Sequence, residues 1–230
     1  MTEKTPLLIE SGDPLVSASL YPEKILSRPQ YFIQGLKGSI PESFLRMGVY
    51  ERLIRAADSL PKGWKFVLLD CWRAPELQRE LFDTIKDEIF RDHPKLSPDE
   101  VDQRSRIFVA YPSVKPELVS GHCTGGSVDL TLADEKGRTV SMGSGFDETS
   151  ERSYTDHYDR ILETKGSLSL EEEDIRNNRR LLLNLMESVG FSNYPNEWWH
   201  FDYGNRNWAI RTGQENCIYG FVRPEMRWRN

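Results

Sequence analysis

Near the C-terminal end, the five residues EWWHF (197–201) set an acid and an imidazole among aromatic rings. Aromatic walls lower the local dielectric, and an unpaired charge there is costly. A carboxylate such as Glu197 must find a partner or let its pKa rise. Two readings fit the pentad. In one it is a strand whose Trp198, Trp199 and Phe201 face a core while Glu197 and His200 turn to solvent. In the other it is part of a reactive site whose partners stand elsewhere in the chain.

The four histidines are His93, His122, His157 and His200. His93 and His157 lie in polar stretches that suit solvated side chains. His122 lies in SGHCTGGSVDL (120–130), ahead of Asp129, which Val128, Leu130 and Leu132 flank with apolar surface. An acid in that setting calls for a cation or several donors. Their odd separation would put His122 and Asp129 on opposite faces of a plain strand, but a turn at Gly125-Gly126 can bring them to one side. Two imidazoles and a carboxylate make a catalytic zinc set that leaves a fourth position for water. A structural hydrogen-bonded pair under a glycine turn explains His122 and Asp129 equally well, because His-x6-Asp is a loose pattern beside His-Glu-x-x-His. In the metal reading Glu197 is the carboxylate outside the ligand set that moves protons. Its spacing from His200 then asks for a bend or bulge at Trp198.

Several elements must position these groups. Val49, Leu53, Ala56, Ala57 and Leu60 recur at helical spacing between Pro41 and Leu60, and Pro61-Lys62-Gly63 stops the run. WKFVLLD (64–70) reads as a buried strand. Pro75 opens a second helix with Leu77, Leu81, Phe82 and Ile85 inward. SPDE (97–100) is a capping box that starts a third helix, running to about Ala110. SVDLTLAD (127–134) alternates as a strand and can pair with Thr139–Met142 across a turn. The longest helix spans 170–189, capped by Ser169 and stopped by Gly190. Trp198–Tyr203 and Ile218–Val222 are the last strand candidates, and Trp208 and Trp228 are most simply core. Residues 1–40 show no period and should wrap the body irregularly. Helices that precede and interrupt a few hairpin-like strands favour an α+β fold.

The 230 residues suit one domain spanning 1–230, and Lys+Arg 30 against Asp+Glu 36 gives a net charge of −6. That acidic balance argues against a nucleic-acid or anionic-membrane partner. No apolar run reaches the roughly 18 residues of a membrane span. The N-terminal residues lack a basic region followed by an apolar one, so no secretory signal is expected. Cys71, Cys123 and Cys217 are odd in number and far apart, which points to a reducing cytoplasm, not a disulfide framework. Cys123 beside His122 reads as a small semi-buried residue.

SGHCTGGSVDLTL followed by EWWHF resembles the D-alanyl-D-alanine dipeptidases, a zinc metallopeptidase family, whose pattern is Ser-x-His-x6-Asp and then Glu-x-x-His in an aromatic pentad. LLDCWRAPELQ (68–78) is similar to the family's Asp-x-aromatic-Arg-Pro segment, with Arg73 on the motif arginine. MGSGFDE (142–148) resembles its Met-Gly-x-x-Phe-Asp segment, and NRRLLLNLMESVGFSNYPNEWWHF its approach to the last ligand. The resemblance implies a compact α+β domain of the hedgehog and D,D-peptidase kind, with a small central antiparallel sheet around one zinc ion per chain. It implies His122, Asp129 and His200 as ligands, Glu197 as general base and acid, and Arg73 as a transition-state donor. Ser120 and Asp147 fall where the family binds the carboxylate and ammonium ends of a small dipeptide substrate. Departures are Cys123-Thr124 where many members carry Ser-Arg, an extra alanine between Arg73 and Pro75, and a divergent first sixty residues.

Three function classes follow. The first is zinc-dependent hydrolysis of D-alanyl-D-alanine or a related small D-amino-acid dipeptide. The second is a cell-wall carboxypeptidase or endopeptidase with the same ligands in an open groove, which the missing export signal disfavours. The third is a silent zinc-binding module, which Glu197 and Arg73 disfavour.

Overall fold

The structure, a computed structural model, describes residues 5–224. Three short strands come first, β1 (Leu7–Leu8), β2 (Leu15–Ser17) and β3 (Ile25–Ser27), then the one-turn helix α1 (Gln30–Ile33). The helix expected from Pro41 begins later, because Phe44–Arg46 is drawn into a strand, β4, paired with β2. α2 follows directly (Met47–Asp58), and β5 (Lys65–Asp70) occupies the predicted buried run. The first forty residues are therefore not an irregular wrap. Their strand β3 pairs parallel with β5, Ile25 beside Phe66.

α3 (Pro75–Asp92) and α4 (Pro98–Phe108) form a helical hairpin. The predicted box starts α4: Glu100 N donates to Ser97 Oγ and Ser97 N to the Glu100 carboxylate. Such a cap is worth about 1 kcal/mol. β6 (Ser127–Ala133) is buried along its whole length. After it come α5 (His157–Lys165), α6 (Leu170–Ser188), β7 (Ser192–Asn193), β8 (His200–Asp202), α7 (Arg206–Thr212) and β9 (Asn216–Cys217). α6 carries its own capping box at Ser169 and Glu172.

The central sheet has the order β3-β5-β6-β8-β7. It is antiparallel except at the β3–β5 edge, so the α+β expectation holds and the sheet is mixed. Two predicted strands are absent from it. Thr139–Met142 contributes a single bridge, Ala133 to Thr139. Ile218–Val222 does not pair, because Ile218 and Tyr219 both donate to Gly204 O and Val222 donates to Cys123 O. The pairing falls just before it, where β9 meets β1 in parallel. Trp208 is half-buried with its indole donating to Gly190 O, and Trp228 lies outside the described residues.

The two faces of the sheet differ. Phe66, Leu68, Val128, Leu130, Leu132 and Phe201 join Val49 and Leu53 of α2 and Leu182 and Met186 of α6 in the main core. Each such side chain stabilises the fold by roughly 1.5–3 kcal/mol. The other face carries a smaller apolar set, Val67, Leu69 and Ala133, covered by Phe146 of the β6–α5 connection. Asp129 and His200 are on that face.

Arg46 stands where the chain's distant parts meet. It is 3% exposed, and its guanidinium donates to Thr124 O (2.8 Å), Asp13 O (2.6 Å) and Gly220 O (3.1 Å). No helix among the described residues is long and apolar enough to cross a membrane.

Candidate metal centre and active site

Strands β6 and β8 set two of the predicted site residues directly: Asp129 lies opposite His200 in the register. Opposed residues on neighbouring strands share a face. His122 arrives on a single 3-10 turn, His122–Thr124, after which Gly125 reverses the chain at φ +70°. The left-handed φ favours glycine there, and a Cβ would also stand 2.5 Å from the Leu15 side chain, which would have to shift. The glycine turn thus brings His122 to the same side as Asp129.

Hydrogen bonds fix both imidazoles. His122 Nδ1 donates to Cys71 O (2.8 Å), which can only accept, so Nε2 keeps its lone pair. His200 Nε2 donates to Asp202 Oδ2 (3.1 Å), so Nδ1 is the nitrogen turned to Asp129 and, once deprotonated, the one open to a metal. His122 Nε2 and His200 Nδ1 are 3.2 Å apart. His200 Nδ1 is 2.9 Å from Asp129 Oδ1, and His122 Nε2 is 3.4 Å from Asp129 Oδ2. One ligand atom from each residue fits within 4.8 Å of the others. Asp129 and Asp202 favour a positive charge on His200, and a bound cation would supply that charge between the three ligand atoms instead. Two imidazole nitrogens and a carboxylate oxygen suit zinc. His200 keeps 12% of its side-chain surface exposed, so the centre opens on that side.

Glu197 occupies the open side. The first half of the pentad is a turn and not a bulged strand: Glu197 N donates to Tyr194 O and His200 N to Glu197 O. The turn removes the strand-parity problem and aims Glu197 Oε2 to within 3.8 Å of His200 Nδ1. Glu197 and His200 therefore face the centre and not solvent, while Trp198, Trp199 and Phe201 are buried. Burial pushes the Glu197 carboxyl up to about 7, with His200 pulling the other way. Trp199 packs edge-on against Phe146 (centroids 5.6 Å), which closes one wall.

Arg73 reaches the centre from the end of β5. Its Nε and Nη2 donate to Asp70 Oδ2 (2.9 and 2.7 Å), Nη1 to Gln78 Oε1 (3.0 Å) and Nη2 to Tyr31 Oη (3.4 Å). Nη2 is also 4.0 Å from Asp129 Oδ2, so the buried guanidinium borders the ligand set. Asp147 is at the mouth, solvent-exposed on one side, with a left-handed φ of +61°. Surrounding protein still raises its carboxyl, while the Tyr31 hydroxyl and Arg73 act in the opposite sense. Ser120 is buried two residues before His122, ahead of the turn that carries it.

The family model described as D-ala-D-ala dipeptidase matches residues 49–214. A D-alanyl-D-alanine dipeptidase of Synechocystis sp. is 32% identical over 220 residues, covering 90% of this chain and 88% of that one. The chain belongs to the D-ala-D-ala dipeptidase family. With that it is a zinc metallopeptidase. A second relative, the D-alanyl-D-alanine dipeptidase of Escherichia coli, is 43% identical over 107 residues, covering 46% of this chain and 48% of that one. Among solved structures, VanYB in complex with D-alanine-D-alanine is 18% identical, with a TM-score of 0.36 over 75% of this chain and 80% of that one. A likeness of that size assigns no residue.

In this member of the family, four residues join the site that sequence reading did not single out. Asp70 anchors Arg73, and its Oδ2 is 3.3 Å from His122 Nδ1, so one carboxylate braces two functional groups. An acid closing the buried run WKFVLLD, just before Arg73, was the available signal. Asp202 accepts from His200, from Arg211 Nη1 (2.5 Å), from Ser127 Oγ (2.5 Å) and from Asn205 Nδ2 (2.5 Å). Burial works against its charge, but His200 and Arg211 outweigh it and hold the carboxyl far below the usual range. Asn193 Nδ2 donates to both Glu197 O and His200 O (3.0 Å each) and so shapes the pentad's turn. Tyr31 comes from the aperiodic first forty residues and lies outside the family match, and no local pattern marks it.

Proposed function

We propose that the protein hydrolyses D-alanyl-D-alanine, or a closely related small D-amino-acid dipeptide, at one zinc ion held by His122 Nε2, His200 Nδ1 and Asp129. The observation that carries the reading is the convergence of those ligand atoms with Glu197 Oε2 only 3.8 Å from one of them. What zinc supplies when bound is a water whose pKa falls to about 7 and polarisation of the scissile carbonyl. Glu197 takes the proton from the attacking water. As the C–N bond breaks, Glu197 returns that proton to the leaving nitrogen. Burial raises this carboxyl, which favours its holding the proton between the two transfers, while a bound cation would act in the opposite sense. Arg73 donates to the carbonyl oxygen as negative charge gathers there, already oriented by Asp70 and Gln78. Ser120 binds the substrate carboxylate and Asp147 its ammonium. Buried, unpaired Cys71, Cys123 and Cys217 fit a reducing cytoplasm, where we place the activity.

Asp202 belongs to the same reading as the carboxylate that orients a zinc-bound imidazole. Partners of this kind are worth about 10–100-fold in metal affinity. Asp202→Asn is expected to weaken zinc binding by that factor in a chelator competition. Unchanged affinity would leave Asp202 a purely structural anchor.

The reading is tested by HPLC of D-Ala-D-Ala, its L,L and L,D isomers, and N-acetyl-D-Ala-D-Ala after incubation with zinc-loaded protein. D-Ala-D-Ala should be cleaved and the N-acetyl form disfavoured, because acetylation removes the cation Asp147 meets. Losing one partner of a charge pair costs about 2–5 kcal/mol when it is buried. Asp147 is partly exposed, so the low end applies, roughly 30-fold in kcat/KM. Equal rates for the two would move the protein to the open-groove wall peptidases. Inertness toward every arm would leave only the metal centre standing.

A further inference from the structure

Asp147 has a backbone conformation that non-glycine residues rarely adopt, φ +61°, so its surroundings must impose it. The connection that carries it, residues 142–154, is gripped at its base by Arg179 of α6. This guanidinium is 3% exposed. Nε donates to Met142 O (2.7 Å), Nη1 to Tyr154 O (2.6 Å) and Nη2 to Arg152 O (2.6 Å), with Ser144 Oγ at 3.5 Å. Met142 and Ser144 precede Asp147, while Arg152 and Tyr154 follow it. One planar group therefore holds both ends of the loop.

No carboxylate is among these contacts, although buried guanidinium groups ordinarily pair with one. The charge is spent on main-chain carbonyls and on the rings of Tyr158 and Trp198, centred 5.0 and 5.9 Å away. Trp198 adds a second grip, its Nε1 donating to Ser144 Oγ (2.9 Å) and its backbone N to Ser153 O (3.0 Å). At Gly143, φ +81°, a Cβ would stand 2.2 Å from the Tyr158 hydroxyl, so the loop's entry is equally constrained. Both ends of the loop are thus held, and Arg179 alone spans them with bonds to three main-chain carbonyls.

We propose that Arg179 is the positioning residue of the ammonium subsite: by clamping both ends of the 142–154 loop it fixes where Asp147 stands. It thereby sets the preference for free over N-blocked dipeptides without touching substrate. The inference rests on Asp147 receiving the ammonium. Lysine cannot replace it, since a single ammonium does not reproduce three coplanar donors spread over three carbonyls.

The test compares kcat/KM for D-Ala-D-Ala and N-acetyl-D-Ala-D-Ala in zinc-loaded wild type, Arg179→Lys, Asp147→Asn and the double variant. Where the N-acetyl compound is not cleaved, its Ki against D-Ala-D-Ala replaces kcat/KM. A misplacement of about 1 Å costs on the order of 100-fold. Arg179→Lys should therefore lose about tenfold or more toward D-Ala-D-Ala, chiefly through KM, and leave the N-acetyl compound nearly unchanged. The ratio should collapse toward that of Asp147→Asn, and the double variant should fall no further. A merely structural role would lower both compounds together and keep the ratio. If Arg179→Lys does not fold, Ser144→Ala, which removes the hydroxyl shared by Arg179 and Trp198, should lower the same ratio in a folded protein. A wild-type ratio in the folded variant, with Asp147→Asn collapsing it, overturns the role of Arg179 alone. A wild-type ratio in Asp147→Asn overturns the ammonium reading, and Arg179's role with it.

Discussion

Glu197→Gln is expected to fold as wild type does, bind one zinc, and lose about 10²–10⁴-fold in kcat, the usual worth of general acid–base catalysis. Glutamine keeps the shape and length of the side chain that points at His200 Nδ1 from 3.8 Å. It also keeps the backbone turn, which depends on the main-chain bonds of Tyr194, Glu197 and His200 and on Asn193, not on the carboxylate. What it removes is the proton acceptor. Because burial raises this carboxyl to about 7, replacing it by a neutral amide should cost little stability. Steady-state kinetics beside zinc stoichiometry and circular dichroism check the expectation. If the variant retains more than about a tenth of wild-type kcat with zinc bound, another group is the base.

His200→Ala is expected to lose zinc and, with it, all measurable turnover. The substitution removes one of three ligands and strands Asp202, which is fully buried and would keep only Arg211, Ser127 and Asn205 as partners. A ligand contributes more than the partner behind it, so the loss in affinity should exceed the roughly 10–100-fold typical of such partners. Asp129 and His122 would remain within 3.4 Å of each other, enough for weak binding only. Zinc analysis after equilibrium dialysis of the two proteins side by side decides the matter. Equal zinc in both would sink the ligand assignment, and circular dichroism separates metal loss from loss of fold.

The parts of the fold legible in the sequence are those where local signals agree. Ser97 and Ser169 with a glutamate three residues on mark two helix starts, and both capping boxes form. WKFVLLD reads as a strand because burial on both faces demands a nearly continuous apolar run, and SVDLTLAD because its apolar residues alternate. The aperiodic N-terminal segment hid β1, β2 and β3, because strands of two or three residues leave too short a pattern for alternation to show. His157 is half-buried and opens α5, whose start no side-chain cap bond announces. At the site, the residues that could touch a metal or a proton were legible from their types and spacing. Those that orient them were not. Asp70, Tyr31, Asn193 and Asp202 act through tertiary contacts, and a lone acid, amide or phenol carries no spacing that foretells its partner.

Arg46 bridges sequence separations of 33, 78 and 174 residues through three main-chain carbonyls. None of those contacts can form until the N-terminal strands, the His122 turn and the C-terminal segment have met, so they are expected late in assembly. Interactions absent from the folding transition state leave the rate of folding almost untouched and act on the rate of unfolding. Arg46 therefore governs the lifetime of the finished molecule more than the ease of reaching it. The persistence of the turn that holds His122 in place is a kinetic property, guarded by a side chain outside the catalytic machinery.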